Sequence, residues 1–214
     1  MDKRTKTFFV SMPFQGKDKD GNDMLKPVLY ESLGSDRLGY GETRFPIIPV
    51  IANYTTADDS VKIVAIITEG DSFQHNFDAY FVPEVTTLSE KIGFQFEGID
   101  VIRTPDSEDI SVQLALFGDI IDKVRDNDEL YACITYGTKP TPIILSMAMN
   151  YAYRLKENTT VECIVYGRYD HVAKSGRIFD TTALFYMDSI VNRLAELKTE
   201  NPTDTIKALL NIED

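Results

Sequence analysis

The segment YACITYGTKPTPIILSMAM, residues 131–149, places a glycine, two threonines and a lysine at the junction of two apolar runs. Thr135 and Thr138 offer hydroxyls, Gly137 lets a ligand approach bare backbone, and Lys139 adds a mobile ammonium. The apolar, β-branched residues before Gly137 read as a buried strand, and those after Pro142 recur at helical spacing. A strand that hands over to a helix in this way suits an anion, because the first helical amides lack intrahelical acceptors and the helix dipole adds positive charge. The bland reading is a capped turn with an exposed lysine, since Gly and Thr are ordinary turn and cap residues. The turn is not a Walker A loop, which needs a second glycine, and no Gly-x-Gly-x-x-Gly follows the first apolar segment.

A second polar stretch, SMPFQGK, offers Ser11, the backbone of Met12, Pro13, Phe14, Gln15 and Gly16, and Lys17. A third, YGRYDH, contains Arg168, which suits a phosphate or, equally, a surface carboxylate. TEGDS carries Glu69 and Asp71, which repel phosphate, and reads as a solvated turn. No Gly-x-Ser-x-Gly elbow is present and neither His75 nor His171 is placed as a base, so classical hydrolase chemistry is not expected. The histidines lack clustered carboxylates or thiols, so no zinc site is expected. Cys133 and Cys163 lie inside apolar runs and read as core.

These loops need elements to position them. KTFFV at 6–10 reads as the first strand, followed by VKIVAIIT, GIDVIRT, ELYACIT and TVECIVYG. Helices are predicted across about 74–93, over EDISVQLALFGDIIDKV, after the Gly-Thr-Lys turn, across roughly 180–198 and over PTDTIKALLNI; Pro83 is expected to break the first of these. FPIIPVIANY at 45–54 stays ambiguous between a helix start holding both prolines and an irregular extended piece. Residues 13–44 show no periodic pattern and are expected to form one long loop, a candidate lid. Strands apolar on both faces alternating with helices indicate an α/β sandwich around a mostly parallel sheet, in which ligands bind beyond strand carboxyl ends near the point where strand order reverses. Phe179, Leu184, Phe185, Tyr186, Met187 and Ile190 exceed one buried face, so part of the late helix is expected to meet a partner subunit.

The 214 residues suit one sizeable domain, and 43% hydrophobic with 26% charged residues is ordinary for a globular protein. A net charge of −12 argues against long nucleic acids, although a small anion needs only a local constellation. No apolar run approaches membrane-span length and the start does not read as a signal peptide, so no membrane association is expected and a cytoplasmic location is.

Taken in order, SMPFQGK, ITYGTKPTPIILSMAMNYAY, VECIVYGRYD and IFDTTALFYMDSI resemble CARF domains, the CRISPR-associated Rossmann-like sensors, over most of residues 5–200. The resemblance implies a Rossmann-like three-layer sandwich over 1–200, a short C-terminal helix over 201–214 that leads toward an effector domain absent from the sequence, and a homodimer. It implies one cyclic oligoadenylate, tetra- or hexa-adenylate, bound across the two-fold axis as the second messenger of type III CRISPR antiviral defence, and no cofactor. Carried over residue by residue, phosphate and ribose contacts fall on Thr135, Tyr136, Gly137, Thr138 and Lys139, and strand-one loop contacts on Ser11 to Gly16, with Phe14 or Tyr136 to stack on adenine. One departure is Cys133, where the family often has Asp or Asn two residues before the motif threonine. Two other readings stay open. The first is a metal-independent ring nuclease in which Lys139, Thr138 and Ser11 are the suspects, working by positioning and charge stabilisation. The second is a mononucleotide-binding or purely interacting Rossmann-like module.

Overall fold

A computed structural model describes residues 4–32, 41–170 and 175–210. The chain divides into two compact units, residues 1–182 and 183–214.

The first unit is built on an eight-stranded sheet: β1 (Thr5–Ser11), β2 (Val28–Ser32), β3 (Glu42–Thr43), β4 (Ser60–Thr68), β5 (Gln95–Thr104), β6 (Asp128–Cys133), β7 (Thr160–Asp170) and β8 (Ser175–Asp180), in the order β3-β2-β8-β7-β6-β1-β4-β5. β7, β6, β1, β4 and β5 are mutually parallel, β8 runs antiparallel to β7, β2 is parallel to β8, and β3 is antiparallel to β2. This is the mostly parallel α/β sandwich anticipated. Parallel strands covered on both faces must be apolar on both, and the last five residues of β1 are all buried.

Alternation along β1 sends Phe8, Val10 and Met12 into one core, which they share with α1 (Ile47–Tyr54), a helical stretch through α2 (Asp71–Asn76), and α3 (Val82–Ile92). Phe9 and Ser11 therefore face the other side, where α4 (Ile110–Ile121) and α5 (Thr141–Leu155) pack. Ile144, Leu145, Ala148, Met149 and Ala152 form the buried stripe of α5. Between α2 and α3, residues Phe77–Phe81 form a π-helical turn, so Pro83 is not a break. It enters at the start of α3, where its missing N–H costs little. Pro46 caps α1 and Pro49 lies in its first turn, resolving FPIIPVIANY in favour of a helix.

Two differences from the sequence reading bear on the site. The stretch 13–44 is not one loop, because β2 and β3 extend the sheet; residues 33–40 of that stretch lie outside the described residues. YGRYDH is not a loop leaving a strand: β7 continues to Asp170 and returns as β8, which also removes Phe179 from the late helix. His171 lies outside the described residues. The second unit contains most of α6 (Thr182–Leu197) and α7 (Pro202–Leu209), close to the two helices expected; residues 211–214 lie outside the described residues. Among the described residues no helix is long and apolar enough to cross a membrane.

Candidate functional site

β1 is flanked by β4 on one side and β6 on the other, and the chain proceeds outward from β1 through β4 to β5 before crossing back to β6. The strand order therefore reverses between β1 and β6, and the crevice outside their carboxyl ends is the position where such sheets bind ligands. Val10 pairs with Cys133, so the two strands end level and release SMPFQGK and TYGTKPT side by side. Topology thus brings together two of the three segments singled out from the sequence.

The Gly-Thr-Lys turn is shaped by few contacts. Gly137 has φ +104°, a left-handed conformation that favours glycine, and a Cβ there would lie 3.0 Å from the Thr141 side chain. Thr138 and Thr141 share a hydroxyl hydrogen bond of 3.0 Å, and Thr141 N donates to Thr138 O at 3.0 Å. The opening turn of α5 is not the amide-rich anion site expected. Pro140 and Pro142 carry no N–H, and the Thr141 and Ile143 amides are bonded to Thr138 O and Pro140 O. The donors left at this junction are the amides of Gly137, Thr138 and Lys139 and the exposed Lys139 ammonium, none of which has a partner among the described residues.

Thr135 does a different job from the one proposed for its hydroxyl. Its Oγ1 accepts from Gly167 N at 2.7 Å and meets Cys133 Sγ at 3.1 Å, so it ties the end of β6 to β7. Cys133 thus meets the Thr135 hydroxyl from the position where the resembled family often has Asp or Asn. Burial raises the thiol's pKa, keeping it neutral and able to donate. Tyr136 is half-buried, packs on the α1 core and donates its hydroxyl to Arg44 O at 3.1 Å, which takes its ring away from a stacking role. Phe14 is the opposite case: it is 73% exposed, with its ring tilted against Phe73 at 5.5 Å.

In the strand-one loop, Met12 and Pro13 are buried, and Met12 N donates to Ile66 O at 2.9 Å, so the Met12 side chain belongs to the core. Gln15 is exposed and Gly16 half-buried. Ser11 is 2% exposed, yet its Oγ has no hydrogen-bond partner among the described residues. It lies on the α5 side of the sheet at the switch point, an orphaned polar atom beside the crevice.

Arg168 is exposed on β7, on the sheet face opposite Gly167. Directly across the β7–β8 ladder stands Arg177, also exposed. Like charges in direct cross-strand register are destabilising, and neither guanidinium has an ion-pair partner among the described residues. The neighbouring pair on this face, Tyr166 and Phe179, stacks at 6.5 Å. Arg177 was missed in the sequence because β8 was; the Gly-Arg alternation in SGRIFD is its only local signal. Among the described residues no group of three or more His, Cys, Asp or Glu side chains is arranged to hold a metal ion.

No family model matches the chain. Over 111 residues, 51% of its length, the chain is 26% identical to the CRISPR-associated protein MJ1674 of Methanocaldococcus jannaschii. The matched region spans 17% of that protein, so the chain corresponds to a small part of the relative.

Proposed function

We propose that this protein has a CRISPR-associated role and serves there as a nucleotide sensor. In this reading two copies bind one cyclic oligoadenylate, a tetra- or hexa-adenylate second messenger of the type III systems, and pass the binding on to an attached or partner effector. The observation that carries the reading is the convergence of the Ser11–Gly16 and Thr135–Lys139 segments on the two sides of the switch point. An exposed lysine, amides without a partner among the described residues and an exposed phenylalanine are groups that a ring of phosphates and adenines can use. The similarity to a CRISPR-associated protein supports the same context. Arg168 and Arg177 extend the cationic surface beyond the Gly-Thr-Lys turn.

The ring-nuclease reading stays second: Lys139, its suspect for charge stabilisation, is exposed, but its other two suspects are less available. The Ser11 hydroxyl is buried, and that of Thr138 is engaged by Thr141, so neither is presented as a proton carrier. Calorimetric titration with cyclic tri-, tetra- and hexa-adenylate tests the reading. Saturable binding of one ring per two chains is expected, weakened about ten- to a hundredfold by Lys139→Ala, the equivalent of one charge-assisted hydrogen bond. No binding of any ring sinks the sensor reading, and linear product from a labelled ring on incubation with the wild-type protein would replace it with the ring nuclease.

A further inference from the structure

The strand-one loop is held by a single buried side chain. Asn76, the last residue of α2, is 1% exposed, and its Nδ2 donates to Pro13 O at 2.9 Å and to Gln15 O at 2.8 Å. Two carbonyl acceptors can be met only by the NH₂ end of the amide, so the network itself fixes which way the side chain points. The loop is pressed on the same helix at Gly16, where a Cβ would lie 2.8 Å from Ser72 Oγ. Beyond Gly16 the chain turns back, with Met24 N donating to Gly16 O at 2.9 Å and Tyr80 hydrogen-bonding Asp23.

In a trans peptide the C=O and the following N–H lie in one plane and point in opposite directions, and no described peptide is cis. With the Pro13 and Gln15 carbonyls both aimed at Asn76, the Phe14 and Gly16 amides must both point away from α2. Neither amide has an acceptor among the described residues. Two unpaired N–H groups on one side of a loop can donate together to one anion, as the amides of backbone nests do. They belong to the loop that leaves β1 at the switch point.

We infer that Asn76 is a positioning residue that aims the Phe14 and Gly16 amides at one phosphate of the ligand. The inference rests on the nucleotide-sensor reading and deepens it, by assigning the phosphate donors of the strand-one loop and the group that orients them. Asn76 itself touches no ligand.

The test is amide NMR of the ¹⁵N-labelled full chain, titrated with the ring that binds most tightly and, separately, with inorganic pyrophosphate at millimolar concentration. Downfield shifts of the Phe14 and Gly16 amide protons are expected on binding, while the amide of Met12, already bonded to Ile66, stays put. Asn76→Asp, isosteric but unable to donate when ionised, should weaken ring binding about ten- to a hundredfold and abolish those two shifts, with the Lys139 contribution to affinity unchanged. A ring that binds the wild-type protein without moving the Phe14 and Gly16 amides overturns this inference and leaves the sensor reading standing. If no ring binds, the sensor reading falls, and the pyrophosphate arm still decides whether the two amides take a phosphate. Because the wild-type shifts need no variant, misfolding of Asn76→Asp cannot hide a negative result.

Discussion

At the scale of single residues, the candidate site is held in shape by hydrogen bonds between distant parts of the chain. Thr135 looked like a ligand hydroxyl because it stands next to a glycine and a lysine, but sequence neighbours do not reveal that the Gly167 amide, 32 positions away, needs an acceptor. Replacing Thr135 with Val should leave that amide unsatisfied and cost about 1–3 kcal/mol in urea denaturation. An unchanged stability would mean that water replaces the hydroxyl. Asp128 makes a second case, at the amino end of β6. It is 1% exposed, its Oδ2 accepts from Arg125 N at 2.9 Å, and burial holds its carboxyl above the ordinary value of 3.8. A raised carboxylate pKa means that the fold disfavours the ion, so this residue's contribution to stability is fully present below 3.8 and is lost as pH rises through the folded-state pKa. Asp128→Asn keeps an acceptor for Arg125 N without the charge. Its stability relative to wild type should therefore improve between pH 4 and pH 7 in paired denaturation curves, and parallel curves would refute the assignment.

At the scale of elements, what was legible followed from local pattern, and what was not depended on distant pairing. β1, β4, β5, β6 and β7 announce themselves as apolar runs because both their faces are buried. β2, β3 and β8 are short and polar, and they exist because Tyr30 to Ser32 find Gly176 to Ile178, nearly 150 positions on, a pairing no local window contains. The clamp on the strand-one loop was hidden for the same reason, since Asn76 is one polar residue in a helix and its acceptors lie 61 and 63 positions earlier. Gly167 shows what such pairing demands. A Cβ there would lie 2.3 Å from Pro46 Cγ and 2.7 Å from Pro46 Cβ, a rigid ring at the start of α1 that cannot swing aside. Gly167→Ala should push α1 off β7 and cost about 3 kcal/mol, at the upper end of ordinary overpacking, read by calorimetric unfolding. A loss below about 1 kcal/mol would mean that α1 shifts freely and does not fix the end of β7.

At the scale of the whole molecule, charge is sorted along the strands. Arg4–Glu129, Lys6–Asp59, Lys62–Asp100 and Arg125–Glu97 pair toward the amino ends of the strands, whereas Lys139, Arg168 and Arg177 at the carboxyl ends have no ion-pair partner among the described residues. In the proposed reading these three cations attract an anion locally within a chain of net charge −12, against the carboxylates Glu69 and Asp71 that leave β4 at the same end. One copy, however, supplies one Lys139 and one pair of loops, while a closed ring of identical nucleotides repeats its phosphates around a symmetry axis. Two copies related by a two-fold axis match that repetition. For the dimer proposed above, a candidate surface besides the late-helix residues expected from the sequence is the outer side of the α4–α5 layer, where Ile110 and Leu114 on one helix are 68% and 64% exposed and Ile143 and Met147 on the other are 64% and 58% exposed. Each pair is four residues apart, so each forms a stripe, and α4 packs against α5. The α5 stripe begins two residues after the Gly-Thr-Lys-Pro-Thr turn, so an interface there would carry two copies of Lys139 near the same axis. If the proposed dimer forms through this surface, Ile143→Asp combined with Met147→Asp is expected to give a monomer in sedimentation velocity, leave the thermal unfolding of the chain nearly unchanged because both positions are exposed, and weaken the proposed ring binding while the wild-type Lys139 remains in place. A double variant that sediments and binds as wild type does would move the two-fold axis away from α5, and with it the expectation that the paired lysines meet one ring.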